Sequence, residues 1–449
     1  MTVVGLGIEG IDLVRFLAAE GAHVTVSDRR SASELTEALA AIEGCDATLS
    51  LGANRPEDAA TADALFVSQG VPSDNPAVVA ATQAGIPISS MLGLFLERCP
   101  APVTGITGSA GKTTTTALVG AILQAEGVDH VVGGNIGVGL LSLLPSIGPD
   151  TRVVAEMSHS QLERVSVSPH LACVTNVTPN HLDRYTWDEY VALKRRIIQF
   201  QSADDTAVLN LDNEVTRAFA SEAAGRVVTT SMRGRIPGDG AMLEGDRLVR
   251  VRAGASEPVV ARGEVALRGE HNLENLLAAI AITAELGVSV EAAARTARTF
   301  AGVPHRLEPV ATVGGVLYVN DSIATAPERT LAGLRAYGER VVLILGGRDK
   351  NLPVREMAEE AVRRCRAVIT FGESGAMYAR AVREVPGAAA VTIREVGTVE
   401  ETVRAASEVA QAGDVVLFSP AATSFDQYAN FEIRGQAFRD AVRALEGGR

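Results

Sequence analysis

Residues 105–116, GITGSAGKTTTT, carry the clearest chemical signal in the chain. An apolar strand is expected to end at Gly105–Ile106, a loop runs Gly108, Ser109, Ala110, Gly111, and Lys112 with Thr113 and Thr114 opens a helix. Backbone N–H groups of such a loop cradle phosphate oxygens, the lysine adds charge, and a hydroxyl of Thr113 or Thr114 can ligate Mg²⁺. The strict GxxxxGK[ST] spacing is not met, because the glycine expected at Ile106 stands one place earlier, at Gly105. A second glycine turn opens the chain: Gly5, Gly7 and Gly10 in GLGIEG, with Asp28 ending the next apolar run, HVTVSD. Glycines for a tight turn, a helix N-terminus for a diphosphate and an acid for a ribose hydroxyl fit a dinucleotide or UDP-sugar site; the alternative is a tight turn without ligand. Two such turns imply two phosphate-bearing ligands, as in an enzyme that uses ATP on a nucleotide-bearing substrate.

Other candidates are ambiguous on their own. Glu156 ends the strand-like VVAEM and alone reads as a solvated rim residue. His181, in NHLDRY, alone reads as a structural hydrogen-bonder. Lys194 precedes Arg195 and Arg196 on an evident helix, which by charge alone is a solvated face. Asn272 and Asn275 share a face at a helix start, where capping by Asn272 is the plainer role.

The elements that must position these residues alternate short apolar runs with helical segments, the pattern of parallel sheets with crossover helices. The pattern restarts near residues 90–103 and 300, so three α/β units are expected, at 1–90, 91–299 and 300–449. A hairpin turning at Gly314–Gly315 follows the second restart. In 449 residues, 47% are hydrophobic and only 4% aromatic, which favours α/β layers over a β-sandwich. The net charge of −13 makes nucleic acid an unsuitable partner. Cys45, Cys99, Cys173 and Cys365 are scattered, so reduced thiols are expected rather than disulfides or zinc. The chain opens on TVV with no signal-like segment, and no apolar run reaches the roughly 18 residues of a membrane span. A cytoplasmic location without membrane insertion is expected.

Taken together, the motifs resemble the Mur ligase family. The resemblance is carried by GITGSAGKTTTT, GGNIG (133–137), EMSHSQLE (156–163), TNVTPNHLDRY (175–185), EYVALKRR (189–196), GEHNLEN (269–275), GVPHRLE (302–308), NDSIAT (320–325), LGGRDK (345–350) and FSPAATSFDQYANFEIRG (418–435). They fall in family order over nearly the whole chain, and the opening GLGxxG looks like the glutamate-adding branch. The resemblance implies three domains: N-terminal Rossmann-like, central P-loop mononucleotide-binding α/β and C-terminal Rossmann-like. It also implies a reaction, the ATP-dependent joining of D-glutamate to UDP-N-acetylmuramoyl-L-alanine through an acyl-phosphate in peptidoglycan synthesis.

Roles follow from the same resemblance. Lys112, Glu156, His181 and Lys194 are the expected catalytic residues; Thr113, Glu156, His181 and Lys194, the last as a carbamate, are the expected Mg²⁺ ligands. Residues 108–114 with Asn272, Asn275, Arg306 and Asp321 would hold ATP, and closure of the third domain would complete the site. The UDP-bearing substrate is expected at Gly7, Ile8, Glu9, Asp28, Arg29, Ser68 and Gly70, with Asn135, Ser158 and Gln161 from the central domain. Thr325, Lys350, Ser424 and Phe431 would hold the glutamate. A monomer is expected.

Four positions in three motifs depart from the family pattern: Ala110 in GSAGK, His159 and Ser160 in SHSQ, and Ile323 in NDSIAT, where many members carry a lysine. Ile323 leaves open a ligase that adds L-glutamate or another amino acid. A folylpolyglutamate-synthase-like ligase is the nearest rival within the family. A nicotinamide-dependent oxidoreductase built on GLGIEG would leave the GSAGKTTTT loop without a role, and a non-catalytic nucleotide-binding scaffold has no need of Glu156, His181 and Lys194.

Overall fold

Three sheets embody the alternation read from the sequence. The computed structural model describes every residue except Thr61, 136–138, His181, Asp183, Arg268, Asn351 and 448–449. The first sheet holds β1 (Thr2–Val4), β2 (Val24–Asp28), β3 (Ala47–Leu51), β4 (Leu65–Val67) and β5 (Ile88–Ser89). All are parallel, in the order β3-β2-β1-β4-β5.

The second sheet comprises β6 (Val103–Thr107), β7 (His130–Gly134), β8 (Arg152–Glu156), β9 (Leu171–Val174), β10 (Thr206–Asn210), β11 (Arg226–Ser231), β12 (Gly240–Glu244), β13 (Arg247–Arg252) and β14 (Ala255–Ala261). Its order is β14-β13-β12-β11-β10-β9-β6-β8-β7, parallel except for the β12–β13–β14 meander. Every residue of β6 is buried, as a central strand covered on both faces requires.

The third sheet holds β15 (Glu308–Val313), β16 (Val316–Asn320), β17 (Val341–Gly346), β18 (Cys365–Phe371), β19 (Thr392–Glu395) and β20 (Val415–Ala421). The order is β15-β16-β20-β17-β18-β19, and the antiparallel β15–β16 hairpin turns at Gly314–Gly315 as expected. β20 lies between β16 and β17, so the carboxyl ends of these three strands share one edge. Such ends are where open α/β sheets form ligand crevices.

The chain divides into two compact units, Met1–Phe300 and Ala301–Arg449. The first two sheets form one unit because a single apolar core runs through both. Val3, Leu13 and Val26 belong to the same cluster as Met91, Phe95, Ala155 and Val174. Polar bonds add to it: Asp12 accepts from the N–H groups of Leu141 (2.9 Å) and Ser142 (3.0 Å), so an acid of the first helix caps a turn beside the second sheet.

Candidate active site

In the first unit the glycine loop leaves β6 and enters the helix Lys112–Glu126, as the spacing predicts. Gly111 has φ +83°, and a Cβ there would overlap the Asn275 amide, so this position demands glycine on two counts. Asn176 completes the loop: its Oδ1 accepts from the Ala110 N–H (3.0 Å), its Nδ2 donates to the Ala110 carbonyl (3.2 Å), and its own carbonyl accepts from the Ser109 N–H (2.9 Å). An amide side chain thus reaches the loop from the next strand end, where Ala110 offers none. Thr175 Oγ1 adds a bond to the Ala110 carbonyl at 2.7 Å.

Two lysines converge on this loop. Lys112 Nζ donates to the carbonyls of Gly108 (2.9 Å) and Ser109 (3.3 Å), and Lys194 Nζ to the same Gly108 carbonyl (2.9 Å) and to Thr107 Oγ1 (3.1 Å). Lys194 is 1% exposed. Its helix, Trp187–Gln199, starts in a Thr186–Glu189 capping box and buries Tyr190, Lys194, Ile197 and Ile198. Positions i, i+4, i+7 and i+8 form the apolar stripe, so Lys194 sits in the core-facing row while Arg195 points outward. Burial first, and the Lys112 charge second, push the Lys194 amine well below the ordinary lysine range; Glu156 opposes the shift.

Glu156 ends β8 and is 2% exposed, not a solvated rim residue. Its Oε1 accepts from Asn135 Nδ2 (2.9 Å), while Oε2 is buried with no hydrogen-bond partner among the described residues. A buried carboxylate oxygen left in this way is costly unless something binds it. No three His, Cys, Asp or Glu side chains cluster among the described residues, and His181 lies outside them.

The remaining nucleotide candidates of this unit lie on the helix Glu270–Glu285, whose N-cap is Gly269. Asn272 is therefore not the cap. Asn275 Nδ2 donates to Asn272 Oδ1 (3.2 Å), and Asn275 Oδ1 accepts from Thr115 Oγ1 (3.4 Å). A small cavity beside the loop is lined by Thr175, Asn176, Asn210, Glu274, Asn275 and Ala278.

The first glycine turn places Gly7 at the N-cap of the helix Ile8–Ala19. A Cβ at Gly10 would overlap the Gly5 carbonyl, whereas one at Gly7 would meet open space, as a glycine kept for ligand approach would. Ser68 Oγ donates to the Gly5 carbonyl at 2.5 Å. Asp28 is 3% exposed and saturated: it accepts from the Leu6 N–H (2.7 Å) and from the backbone and side chain of Arg30. It braces the turn, and Arg30 holds its carboxyl below the usual range against the cost of burial. Glu9 accepts from Gln161 Nε2 (2.7 Å) and the Gln69 N–H (2.9 Å), and burial raises its carboxyl. Gln69 Nε2 in turn donates to Ser158 Oγ (2.9 Å) and Ser160 Oγ (2.6 Å). Glu9, Ser158 and Gln161 are thus brought together where the two sheets of this unit meet. Ile8 is exposed, and so are Arg29 and Gly70.

In the second unit the candidates sit at the shared edge of β16, β20 and β17. Lys350 Nζ donates to Thr325 Oγ1 at 3.2 Å, and burial, then Arg329 and Arg434, lower the Lys350 amine. Ser424 is buried after β20, and Phe431 opens the helix Phe431–Gly447, its ring edge-on to His305 at 6.0 Å. Asp321 is buried, accepts from Ser419 Oγ (2.7 Å) and the Leu307 N–H (3.1 Å), and is pushed up to about 7 by burial, with Arg306 and Arg329 opposing. Arg306 lies between two left-handed non-glycine residues, His305 (φ +62°) and Leu307 (φ +42°), and Ala421 (φ +63°) ends β20. Backbone strain gathers at loops that hold a fixed constellation. At Ile323 the backbone carbonyl accepts from Arg329 Nη1 (3.4 Å), a guanidinium from the next helix.

Thr107, Asn176 and Gln69 escaped the sequence reading, being short polar residues without spacing of their own. Arg434 escaped too, although it begins the stripe Arg434, Phe438, Val442.

Three mainly parallel sheets with crossover helices, the second led by a P-loop-like glycine turn, define a three-part α/β protein of the Rossmann-like and P-loop class. Family models match as the Mur ligase MurD-like N-terminal domain over residues 1–90, the Mur ligase middle domain over 106–283 and the Mur ligase glutamate ligase domain over 305–422. The chain belongs to the Mur ligase family. It is 43% identical over 445 residues to the UDP-N-acetylmuramoylalanine–D-glutamate ligase of Symbiobacterium thermophilum, covering 99% of this chain and 97% of that one. It is 38% identical over 452 residues to the enzyme of the same name from Acetivibrio thermocellus, covering 99% and 96%. Among solved structures, the UDP-N-acetylmuramate–alanine ligase of Thermotoga maritima superposes with a TM-score of 0.55 at 20% identity, covering 100% and 99%, a likeness of fold.

Proposed function

We propose that this chain is an ATP-dependent ligase that joins D-glutamate to UDP-N-acetylmuramoyl-L-alanine, releasing ADP and phosphate, in the cytoplasm and as a monomer. The relatives at 38–43% identity carry that activity in their names and align over nearly the full length. The observation that carries the reading is a buried Lys194 bonded to the glycine loop, its amine pushed well below the ordinary lysine range, together with a buried Glu156 oxygen at the end of β8 that has no hydrogen-bond partner among the described residues.

A carboxylate is a poor electrophile, so ATP must first convert it to an acyl-phosphate that the glutamate amine then attacks. The chain's contribution is positioning and charge. The loop N–H groups and Lys112 would hold the phosphates, with Asn272 and Asn275 toward the base. A neutral Lys194 amine is the form that adds CO₂, and the carbamate would present oxygens beside Glu156 and Thr113. That hard-oxygen set fits Mg²⁺, which when bound offsets the charge of phosphate and carboxylate. His181 is kept as a further ligand. The domains 1–90, 91–299 and 300–449 are assigned to the UDP-bearing substrate, ATP and the amino acid. Residues 7–9, Arg29, Ser68, Gly70, Asn135, Ser158 and Gln161 are assigned to the UDP-bearing substrate; Asp28 supports their turn. Arg306 and Asp321 are the second unit's nucleotide residues, and Thr325, Lys350, Ser424 and Phe431 its glutamate residues.

The test is phosphate release from ATP with Mg²⁺ and UDP-N-acetylmuramoyl-L-alanine, comparing D-glutamate, L-glutamate and no amino acid, with product mass checked. D-glutamate-dependent release is expected. Release with L-glutamate alone would overturn the stereochemistry, and folded protein that binds ATP yet releases nothing would overturn the ligase.

A further inference from the structure

We infer that Arg434 is a positioning residue for the amino-acid site of the second unit: its guanidinium locks the loops after β16 and β20 to each other and to the helix that carries Phe431. The identity of the ligand, a dicarboxylic amino acid, rests on the proposed function; the lock itself does not.

Arg434 is 0% exposed and is the largest fully buried side chain among the described residues. Its Nε donates to Ser322 Oγ (3.1 Å), its Nη2 to the Ser322 carbonyl (2.8 Å) and its Nη1 to the Ala422 carbonyl (3.0 Å). Ser322 Oγ in turn donates a hydrogen bond to the Phe431 carbonyl at 2.8 Å. One side chain therefore joins the loop leading to Thr325, the loop leading to Ser424 and the first turn of its own helix. It also reaches the third loop: a Cβ added at Gly347, on the way to Lys350, would lie 2.9 Å from Nη1.

The acceptors are carbonyls and a hydroxyl, and no carboxylate lies within ion-pair distance of Arg434 among the described residues. Burial lowers the guanidinium to about 10, with Asp426 and Tyr428 opposing, so it stays charged at neutral pH. Its charge and that of Arg329 bear on the Lys350 amine, with Glu328 opposing, and cations there suit the carboxylates of an incoming amino acid. A lysine could keep the charge but not the planar fork that spans two loops at once.

The experiment uses the full chain with Arg434→Lys, Arg434→Met and Ser322→Ala. Steady-state kinetics are measured by varying D-glutamate, ATP and UDP-N-acetylmuramoyl-L-alanine in turn, alongside amide exchange over 321–326 and 421–426. For Arg434→Lys we expect kcat/KM for glutamate to fall on the order of 10²-fold, while KM for ATP stays within about twofold. Both loops should lose exchange protection together. Ser322→Ala should move both readouts the same way by a smaller amount, and it decides the matter if the Arg434 variants do not fold. Unchanged glutamate kinetics in a folded Arg434→Lys, or unchanged protection in both loops, would overturn the inference. If the wild-type chain turns over no amino acid, the proposed function fails while the exchange measurement still judges the lock.

Discussion

Lys194 and Arg434 are the two basic side chains buried most completely among the described residues, one in each compact unit. Both occupy a core-facing position in the apolar stripe of an amphipathic helix, Lys194 beside Tyr190, Ile197 and Ile198, Arg434 beside Phe438 and Val442. Their chemistry diverges because an ammonium can release its proton and a guanidinium hardly can. Lys194 has two oxygen partners, shares one of them with Lys112, and is driven toward the neutral amine. Arg434 meets three well-placed bonds and keeps its charge. Burial thus pushes an amine toward its neutral form in one unit and holds a charged clamp in the other.

The sharpest way to break this contrast is to exchange the groups. Lys194→Arg and Lys194→Ala should each lower glutamate-dependent phosphate release on the order of 10³-fold, because neither can form a carbamate. Added formate or acetate should restore part of the activity to Lys194→Ala only. Full activity in Lys194→Arg would reduce Lys194 to a structural cation. Glu156→Gln comes next: it keeps a carbonyl oxygen for Asn135 but removes the charge of the orphan oxygen. Activity should drop on the order of 10²-fold, with half-saturation shifted to higher Mg²⁺. An unshifted Mg²⁺ titration would detach Glu156 from the metal.

Gly111→Ala probes the loop that both lysines grip. Its left-handed backbone costs an alanine about 1–2 kcal/mol, and the Asn275 amide must move. We expect KM for ATP to rise about tenfold with KM for glutamate unchanged. The smallest effect concerns a buried carboxyl near the second unit's cations. Asp321 holds its proton up to about 7 when folded, against an ordinary 3.8. The unfolded chain ionises first, so the stability contributed by the neutral carboxyl is whole below that ordinary value. It is lost as pH rises toward the folded value and is level above it. Asp321→Asn should flatten this slope between pH 4 and 7, read from amide exchange in β16 and β20 after correction for intrinsic rates. A slope that persists in the variant assigns it to other groups.

Much of this was legible beforehand for a local reason. The phosphate loop, its helix start at Lys112, the β15–β16 hairpin and Glu156 at a strand end are set by neighbours within a few residues, and turn and strand chemistry act at that range. Asp28 was legible as an acid at a strand end, yet its carboxylate is taken by Leu6 and Arg30. Asn272 had the right type and position for a cap, but Gly269 starts the helix. Lys194 shows the limit best. Its charged neighbours Arg195 and Arg196 suggest solvent, and only the spacing from Tyr190 to Ile198 hints at the core.

The sequence by itself determined the alternation of strands and helices, the three α/β sheets, both glycine turns and the family motifs. These follow from periodicity and backbone conformational preference, which a residue and its near neighbours decide. Only the tertiary structure decided that the first two sheets share one core, that Lys194 and Lys112 meet on a single carbonyl, that a Glu156 oxygen is left without a partner, and that Arg434 joins loops separated by a hundred residues. Those outcomes depend on which strands become neighbours, and burial and electrostatic pressure act through space rather than along the chain.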